Sequence, residues 1–247
     1  ENGNRIIVTG NVDRRREATV NIYSSQDFFM HTFMERLQAR GIRCIMPEEH
    51  IPSSGYIFGE LLRDSLSVQV TVYETPVQHV VNEIMKESDN LNAEALLCRL
   101  GAQYTGKKHV SADDGLSAIR MLIKQLGHNP DDYKLADGCG LSNYNYISPA
   151  LLVDFLKYAY SQTDIFAKLY KALPISGVDG TLKNRMKKGT PAYKNVHAKT
   201  GSFTAINCLA GYVKAANGHE IAFAIMNQNV LSGRAARAFQ DAVCEEI

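Results

Sequence analysis

Apolar residues recur along this chain with two different periods, and the local period predicts whether the backbone is helical or extended. Six stretches have apolar residues spaced by three and four positions, as on one face of an α-helix: residues 26–40, 77–85, 93–100, 116–126, 151–160 and 233–247. Six others alternate with period two or are apolar over a short run, as in β-strands: residues 5–8, 18–23, 66–73, 196–199, 208–214 and 220–227. The pattern therefore predicts an α+β chain.

The last three strands are predicted to form one antiparallel sheet. Asn217-Gly218, between the second and the third of them, is a strong signal for a hairpin turn. Residues 221–226 are apolar on both faces, which is typical of a central strand covered by helices on either side. We therefore expect an antiparallel sheet flanked by helices.

Two of the predicted helices meet at a short link. Thr75-Pro76-Val77-Gln78 predicts a helix start, with a threonine N-cap, proline at the first helical position and glutamine three residues after the cap. This helix leads to Ser88-Asp89-Asn90, called the serine motif below, and the next helix runs from there towards Gly101. The serine motif is therefore predicted to lie on a tight interhelical link.

A second tripeptide, Lys199-Thr200-Gly201, called the lysine motif below, falls at the end of a predicted strand 111 positions after Ser88. Ser-Asp-Asn and Lys-Thr-Gly are two parts of a three-part site for serine acyl transfer, and the third part is Ser-x-x-Lys. No serine of this chain has a lysine three residues on. The nearest case, Ser117 with Arg120, fails because a guanidinium group does not give up a proton to act as a base.

Composition narrows the choice of partners. A chain of 247 residues that is 45% hydrophobic can bury a large core, as one domain or as one domain with a small appendage. The net charge of +1 favours neither nucleic acid nor a membrane surface. No apolar run approaches the roughly 18 residues of a membrane span, so no transmembrane segment is expected.

The cysteines and histidines do not have the spacing of a metal site. The five cysteines lie 36 or more positions apart, without the close pairs that metal and redox sites use. The seven histidines show no His-Glu-x-x-His pattern. Neither a metal nor another cofactor is therefore expected.

Four segments occur in the order and at the spacing of one known family: residues 88–97, 137–142, 177–182 and 198–202. Together they resemble the D-alanyl-D-alanine carboxypeptidase/endopeptidase family of low-molecular-mass penicillin-binding proteins, over about residues 20–247. Two positions depart from that pattern. Cys139 stands where the resemblance favours serine. Residues 74–77 match less well the segment that leads into the helix before the serine motif in the family.

The resemblance implies a β-lactamase/transpeptidase-like fold of the α+β class. Residues 1–22 are then the end of an inserted domain, and residues 23–247 are a transpeptidase-like domain that lacks its N-terminal segment. That segment carries Ser-x-x-Lys in the family, so this chain alone is expected to be inactive.

The resemblance also implies a serine peptidase that works through an acyl-enzyme, in which a base activates the attacking hydroxyl. Ser88 and Asn90 are expected to be catalytic. Ser88 relays a proton between the base and the leaving amine, and the Asn90 amide holds the missing lysine or the peptide bond of the substrate. Asp89 belongs to the expected substrate-binding set.

The lysine motif and the residue after it are expected to bind the substrate. Lys199 supplies a fixed positive charge for the free C-terminal carboxylate, and the hydroxyls of Thr200 and Ser202 add hydrogen bonds. Gly201 leaves the strand edge free of a side chain. The backbone N–H of Ser202 is expected to be one oxyanion donor, so Lys199 and Ser202 are also counted as catalytic. His197, on the same strand face as Lys199, is interpreted as structural.

The substrates implied by the resemblance are peptidoglycan stem peptides that end in D-Ala-D-Ala, and β-lactams are the implied inhibitors. The implied activity is that of a carboxypeptidase, with cleavage of crosslinks as a further outcome. A periplasmic or extracytoplasmic location follows from the family, and no signal peptide is visible in these residues.

Two other functions are compatible with the two motifs. A class A β-lactamase shares both, but it does not share the long stretch before Ser88 or the segment at residues 177–181. A non-catalytic cell-wall or penicillin-binding protein would keep the carboxylate-binding residues without a nucleophile. The sequence upstream of Glu1 discriminates between an enzyme and a binding protein, because an enzyme needs Ser-x-x-Lys there.

Overall fold

The computed structural model describes residues 7, 9–11, 13–15, 17, 20, 22–43, 56 and 72–247. The chain divides into two compact units, Glu1–Val72 and Tyr73–Ile247. The strands predicted at residues 5–8, 18–23 and 66–73 fall largely outside the described residues. They stay predictions, as does the division of the chain into domains at residue 22.

The described part of the first unit contains the helix predicted at residues 26–40. Helix α1 (Ser25–Ala39) begins after Ser24, whose side chain accepts a hydrogen bond from the backbone N–H of Asp27 at 3.2 Å. Gly41, just past its end, has a φ of 74°, the left-handed conformation that favours glycine after a helix. The rings of Phe29 and Phe33 stack on one face with centroids 6.0 Å apart. The predicted helix is therefore confirmed.

The second unit contains six α-helices and three β-strands. The helices are α2 (Val77–Lys86), α3 (Asn90–Thr105), α4 (Ala112–Gln125), α5 (Pro149–Ser161), α6 (Thr163–Ala172) and α7 (Gly233–Glu246). The strands are β1 (Val196–Phe203), β2 (Ile206–Lys214) and β3 (Glu220–Asn227). Helix α6 is the one that the hydrophobic pattern did not predict. No helix among the described residues is long and apolar enough to cross a membrane.

The three strands form an antiparallel sheet in the order β1-β2-β3. The turn between β2 and β3 contains Gly218 with a φ of 87°, so the predicted hairpin is confirmed. Among the described strands β2 is the middle one, and β3 pairs with β2. That the strand at residues 220–227 is central stays a prediction, because the strands predicted earlier in the chain fall largely outside the described residues. Helix α5 packs on β3 and β2, and α7 packs on β2.

The core beneath the sheet fixes the direction in which β1 presents its side chains. Val196 and Ala198 are fully buried, together with Leu209 and Val213 from β2. Each buried valine or leucine side chain among them contributes about 1.5–3 kcal/mol relative to an exposed one. Because side chains alternate along a strand, the burial of residues 196 and 198 turns Lys199 towards the opposite face.

Helices α3 and α4 approach each other closely at two glycines. A Cβ atom on Gly115 would lie 2.3 Å from the carbonyl oxygen of Leu97, and one on Gly101 would lie 2.7 Å from the backbone nitrogen of Gly115. Gly101 is therefore a packing residue inside α3, which continues to Thr105 and ends at Gly106 with a φ of 70°. The prediction that this helix ends before Gly101 is wrong for that reason.

The start of α2 also differs from its prediction. Pro76 is the N-cap, with an extended ψ of 134°, and no side-chain hydrogen bond caps the helix. The helix begins at Val77, one position later than a Thr75 cap would place it. The extended backbone at the proline accounts for this shift.

Candidate active site

The serine motif lies on a tight link between α2 and α3, as predicted. Ser88 has a φ of 60°, a left-handed conformation that costs a non-glycine residue of order 1–3 kcal/mol. Asp89 is the N-cap of α3, and its carboxylate accepts a hydrogen bond from the backbone N–H of Asn92 at 2.7 Å. Asn90 is the first residue of α3, and it is exposed to solvent. The cap and the strained residue together present the Ser88 hydroxyl at the tip of the link.

The lysine motif meets the serine motif directly. The Lys199 ammonium donates hydrogen bonds to the Ser88 hydroxyl oxygen at 2.8 Å and to the Thr200 carbonyl oxygen at 2.7 Å. Burial lowers the pKa of the Lys199 ammonium below its ordinary value. The two motifs therefore converge on one place although 111 positions separate them, as two parts of one site must.

The lysine motif occupies the middle of β1, not its end. The predicted strand stopped at Lys199, whereas pairing with β2 continues to Phe203. The Thr200 hydroxyl donates to the Thr181 hydroxyl oxygen at 2.9 Å, and the Ser202 hydroxyl donates to Oδ1 of Asn207 at 3.0 Å. Both hydroxyls are therefore held at defined positions along this strand.

Gly201 is not required by the packing of the sheet. A Cβ atom on Gly201 would lie 3.6 Å from the Cβ of Cys208 on the paired strand, which is an ordinary van der Waals contact. Gly201 is exposed, so the missing side chain leaves space on the open side of the strand. This placement is consistent with a ligand backbone lying against β1.

An ion pair that sequence reasoning missed anchors the approach to Ser88. The Lys86 ammonium lies 2.8 and 2.7 Å from the two carboxylate oxygens of Asp179 and 2.6 Å from the carbonyl oxygen of Leu173. The same Asp179 carboxylate accepts the backbone N–H of Ile175 at 2.8 Å. Lys86 is the last residue of α2, so the pair ties the start of the Ser88 link to residues 173–182. In the sequence, Asp179-Gly180 is an Asp-Gly pair, which is typical of a turn and does not indicate an ion pair.

Residues 173–182 also contact β1, so one segment holds both motifs. Ile175 pairs with His197 in an antiparallel bridge, and the Ala198 N–H donates to the carbonyl oxygen of Pro174 at 3.0 Å. Gly180 has a φ of 54°, and a Cβ atom there would lie 2.9 Å from the carbonyl oxygen of Lys86. The close approach of this segment to α2 therefore depends on glycine at position 180.

We expect the Lys86–Asp179 pair to be strongly coupled in stability. In a double-mutant cycle of Lys86→Met and Asp179→Leu, we expect a coupling free energy of about 1 kcal/mol or more from urea unfolding, because the pair is partly buried and hydrogen-bonded on several sides. The more exposed pair Arg120–Asp131 is the control, with an expected coupling below about 1 kcal/mol. Equal couplings for the two pairs would contradict the anchoring role.

His197 is a structural residue, as interpreted from the sequence. Its Nδ1–H donates to the carbonyl oxygen of Tyr170 at 3.2 Å, and its ring stacks on that of Tyr170 with centroids 3.9 Å apart. Burial lowers the pKa of the His197 imidazole. These contacts pack β1 against α6. Lys199, on the same face of β1, contacts the serine motif instead.

The loop around Cys139 is held against α3 by carboxylates. Glu94 accepts the backbone N–H groups of Gly138 and Cys139 at 2.9 and 2.8 Å, and Asp137 accepts that of Ser142 at 2.6 Å. Burial raises the pKa of the Cys139 thiol, and its hydrogen bond to Glu94 adds to the shift. Ligand atoms of Glu94, Asp137 and Cys139 lie within 4.8 Å of one another, the spacing that a metal ion would need. Both carboxylates already accept hydrogen bonds from backbone N–H groups of this loop.

Two cavities open beside the lysine motif. One of about 200 Å³ lies between β1 and α7, and its lining includes Thr200, Ser202 and Arg237. The other, of about 390 Å³, lies between the Cys139 loop and the ends of β1 and β2, and its lining includes Leu141 and Phe203. Gly201 lines both, so a ligand lying along the open side of β1 would reach the two cavities.

The fold and this geometry define a class of proteins. The serine motif on a helix link and the lysine motif on a strand of an antiparallel sheet meet directly, and these are two of the three motifs of penicillin-binding proteins and class A β-lactamases. A model of the D-Ala-D-Ala carboxypeptidase 3 (S13) family matches residues 1–246. The chain therefore belongs to this serine peptidase family.

Individual relatives agree with that assignment. The chain is 34% identical to the D-alanyl-D-alanine carboxypeptidase DacB of Haemophilus influenzae over 67% of its own length and 33% of the relative's. It is also 34% identical to a D-alanyl-D-alanine carboxypeptidase of an Actinomadura species, over 86% of this chain and 38% of the relative. The chain thus spans between a third and two fifths of the length of these curated relatives.

A solved structure supports the predicted fold class. The crystal structure of penicillin-binding protein 4 (dacB) from Haemophilus influenzae, complexed with a β-lactam, superposes with a TM-score of 0.69 at 25% identity. The alignment covers 91% of this chain and 53% of that one. The prediction of an α+β, β-lactamase/transpeptidase-like fold is therefore confirmed.

Proposed function

We propose that the protein to which these residues belong is a serine-type D-Ala-D-Ala carboxypeptidase that hydrolyses peptidoglycan stem peptides through an acyl-enzyme. The observation that carries the proposal is the 2.8 Å hydrogen bond between the Lys199 ammonium and the Ser88 hydroxyl. It joins the two motifs that serve serine acyl transfer and places a charged donor beside a proton relay. Family membership supports the same reaction.

In the proposed reaction, the serine of a Ser-x-x-Lys segment attacks the carbonyl carbon between the two D-alanines. The bond to the leaving D-alanine breaks, its nitrogen takes up a proton, and water then hydrolyses the ester. Ser88 passes the proton towards the leaving nitrogen, and Lys199 holds the Ser88 hydroxyl in position. Asn90, exposed beside Ser88, offers an amide to the nucleophile's lysine or to the scissile peptide.

The open side of β1 is the proposed binding surface for the peptide. The Ser202 N–H serves as one oxyanion donor, and removal of one such donor typically costs about 10²–10³ in rate. Thr200 and Ser202 contribute hydroxyls for the terminal carboxylate, and Gly201 lets the peptide approach the strand. Asp89 was expected to touch the substrate. Because its carboxylate caps α3, we assign it the positioning of Ser88 instead.

The proposed substrate determines the proposed location and the inhibitors. Peptidoglycan stem peptides lie outside the cytoplasmic membrane, so we place the protein in the periplasm or another extracytoplasmic space. β-Lactams, whose carboxylate and acyl bond resemble those of the terminal dipeptide, are the proposed inhibitors. The relative whose structure contains a β-lactam supports this assignment.

The experiment that tests this function uses the product of the whole encoding gene, called the extended protein below. We expect its sequence upstream of Glu1 to contain Ser-x-x-Lys. We expect the purified extended protein to release D-alanine from diacetyl-L-lysyl-D-alanyl-D-alanine, and the variant in which that serine is alanine to release none. An extended protein without Ser-x-x-Lys, or one that binds the peptide without cleaving it, would favour the non-catalytic binding protein. Hydrolysis of benzylpenicillin with no release of D-alanine would favour the β-lactamase.

A further inference from the structure

The cavity of about 200 Å³ between β1 and α7 combines the hydroxyls of the lysine motif region with two arginines. Its lining includes Thr200 and Ser202 together with Arg185 and Arg237. Guanidinium groups are a usual means of binding a carboxylate. The Thr200 and Ser202 hydroxyls donate at present to the Thr181 hydroxyl oxygen and to Oδ1 of Asn207, and each can turn to donate to a bound carboxylate instead. The two arginines differ, however, in whether a carboxylate of the protein already neutralises their charge.

The charge of Arg185 is neutralised within the protein. Its Nε and Nη2 atoms donate to Oδ1 of Asp241 at 2.9 and 2.7 Å, and Nη2 also donates to Oε1 of Gln240 at 3.0 Å. Arg237 instead donates from Nη1 to Oδ1 of Asn207, a neutral amide, at 3.3 Å. Within the described residues, Arg237 forms no ion pair. The cavity therefore carries one positive charge that no described carboxylate balances.

Buried amides hold this cavity in shape. Asn207 and Gln240, which also line it, are buried polar residues. Oδ1 of Asn207 accepts from both the Ser202 hydroxyl and Arg237, and Nε2 of Gln240 donates to the Asn207 carbonyl oxygen at 3.0 Å. One amide oxygen thus fixes the positions of a hydroxyl and a guanidinium that face the same space. Arg237 lies in the second turn of α7 and is itself exposed, so it is accessible to a ligand.

Lys199 is not among the residues that line this cavity. Its ammonium points to the Ser88 hydroxyl and to the Thr200 carbonyl oxygen, whereas the residues lining the cavity with Thr200 and Ser202 include Arg237. We propose that Arg237, together with the hydroxyls of Thr200 and Ser202, binds the free C-terminal carboxylate of the peptide, and that Lys199 serves Ser88. This inference rests on the proposed function. It makes Arg237 the residue that selects a free chain end over an internal peptide bond.

The test compares two ligands that differ only in terminal charge. The chain Glu1–Ile247 is titrated with N-acetyl-D-alanyl-D-alanine and with its C-terminal amide, and binding is followed by NMR. We expect the acid to bind at least about 10-fold more tightly than the amide, because a hydrogen bond to a charged group contributes about 1.5–3 kcal/mol. Arg237→Gln is expected to weaken binding of the acid until the two ligands bind equally.

Two further variants make the result specific. Arg234→Gln, an exposed arginine one turn away on α7, is the matched control and is expected to keep the preference for the acid. Arg237→Lys, which keeps the charge without the planar fork, is expected to show an intermediate preference. Circular dichroism shows whether each variant has retained its fold.

Several outcomes would overturn the assignment of Arg237. One is that Arg237→Gln keeps the preference for the acid over the amide. Another is that Arg234→Gln loses this preference as much as Arg237→Gln does. A third is that the wild-type chain binds neither ligand or binds both equally. If Lys199→Gln loses the preference for the acid and Arg237→Gln keeps it, Lys199 and not Arg237 binds the carboxylate. Failure of the proposed function is a separate result: the extended protein would then release no D-alanine, whatever the chain's preference between acid and amide.

Discussion

Replacement of Lys199 by alanine in the extended protein is expected to lower kcat/KM for D-alanine release by about 100-fold or more. The substitution removes a partly buried ammonium and its two hydrogen bonds, one to the Ser88 hydroxyl and one to the Thr200 carbonyl oxygen. A hydrogen bond from a charged group contributes about 1.5–3 kcal/mol, and 1.4 kcal/mol corresponds to a factor of ten in rate. The measurement is steady-state release of D-alanine from the diacetylated tripeptide.

His197→Ala is the matched control on the same strand face. Its imidazole contacts Tyr170 and not the serine motif, so we expect kcat/KM to stay within about threefold of the wild type while stability falls. Urea unfolding of both variants separates a loss of fold from a loss of function. Equal decreases in kcat/KM for the two variants, at unchanged stability, would mean that Lys199 has no special part in the site.

Benzylpenicillin is expected to leave the mass of the chain Glu1–Ile247 unchanged. β-Lactams trap enzymes of this class by acylating the serine of Ser-x-x-Lys, and no serine of this chain has that lysine. The structure does bring a lysine, Lys199, to Ser88, as the convergence of the two motifs requires. Lys199 donates hydrogen bonds to both of its oxygen partners, and a protonated donor cannot remove the proton from the Ser88 hydroxyl.

Intact-protein mass spectrometry after incubation with excess benzylpenicillin checks this expectation, with the extended protein as the positive control. The extended protein should gain one acyl group, and the chain Glu1–Ile247 none. An added acyl group that maps to Ser88, and is absent from Ser88→Ala, would show that Ser88 and Lys199 act as nucleophile and base. Reversible binding of the drug near Arg237 leaves the covalent mass unchanged.

The hydrophobic pattern predicted the secondary structure well where local periodicity decides it. The strand at residues 220–227 and the Gly218 turn are as predicted, and the helix at residues 26–40 is displaced by one residue. The pattern placed the end of β1 too early, because strand pairing continues there although apolar and polar residues no longer alternate. Residues 200–203 are mostly polar or glycine, yet they remain in β1 because β2 supplies their hydrogen-bond partners.

Sequence reasoning identified the two motifs of the site but not the groups that support them. Ser88 and Lys199 were found because their residue types and order are specific to one kind of chemistry. Lys86 and Asp179 gave no such signal, because an isolated lysine and an Asp-Gly pair occur in many surface turns. Arg237 likewise has no local pattern that distinguishes it from Arg234 in the same helix.

The sequence by itself determined the family, the α+β class, the sites of turns, and the two motifs that carry the proposed chemistry. These depend on residue type and on spacing over a few positions, which a linear sequence contains. Only the tertiary structure decided that Lys199 touches Ser88, that Asp179 anchors the link before Ser88, and that Arg237 shares a cavity with Thr200 and Ser202. Each of these contacts joins residues tens of positions apart, and the packing of β1 against the segments on either side of it brings them together.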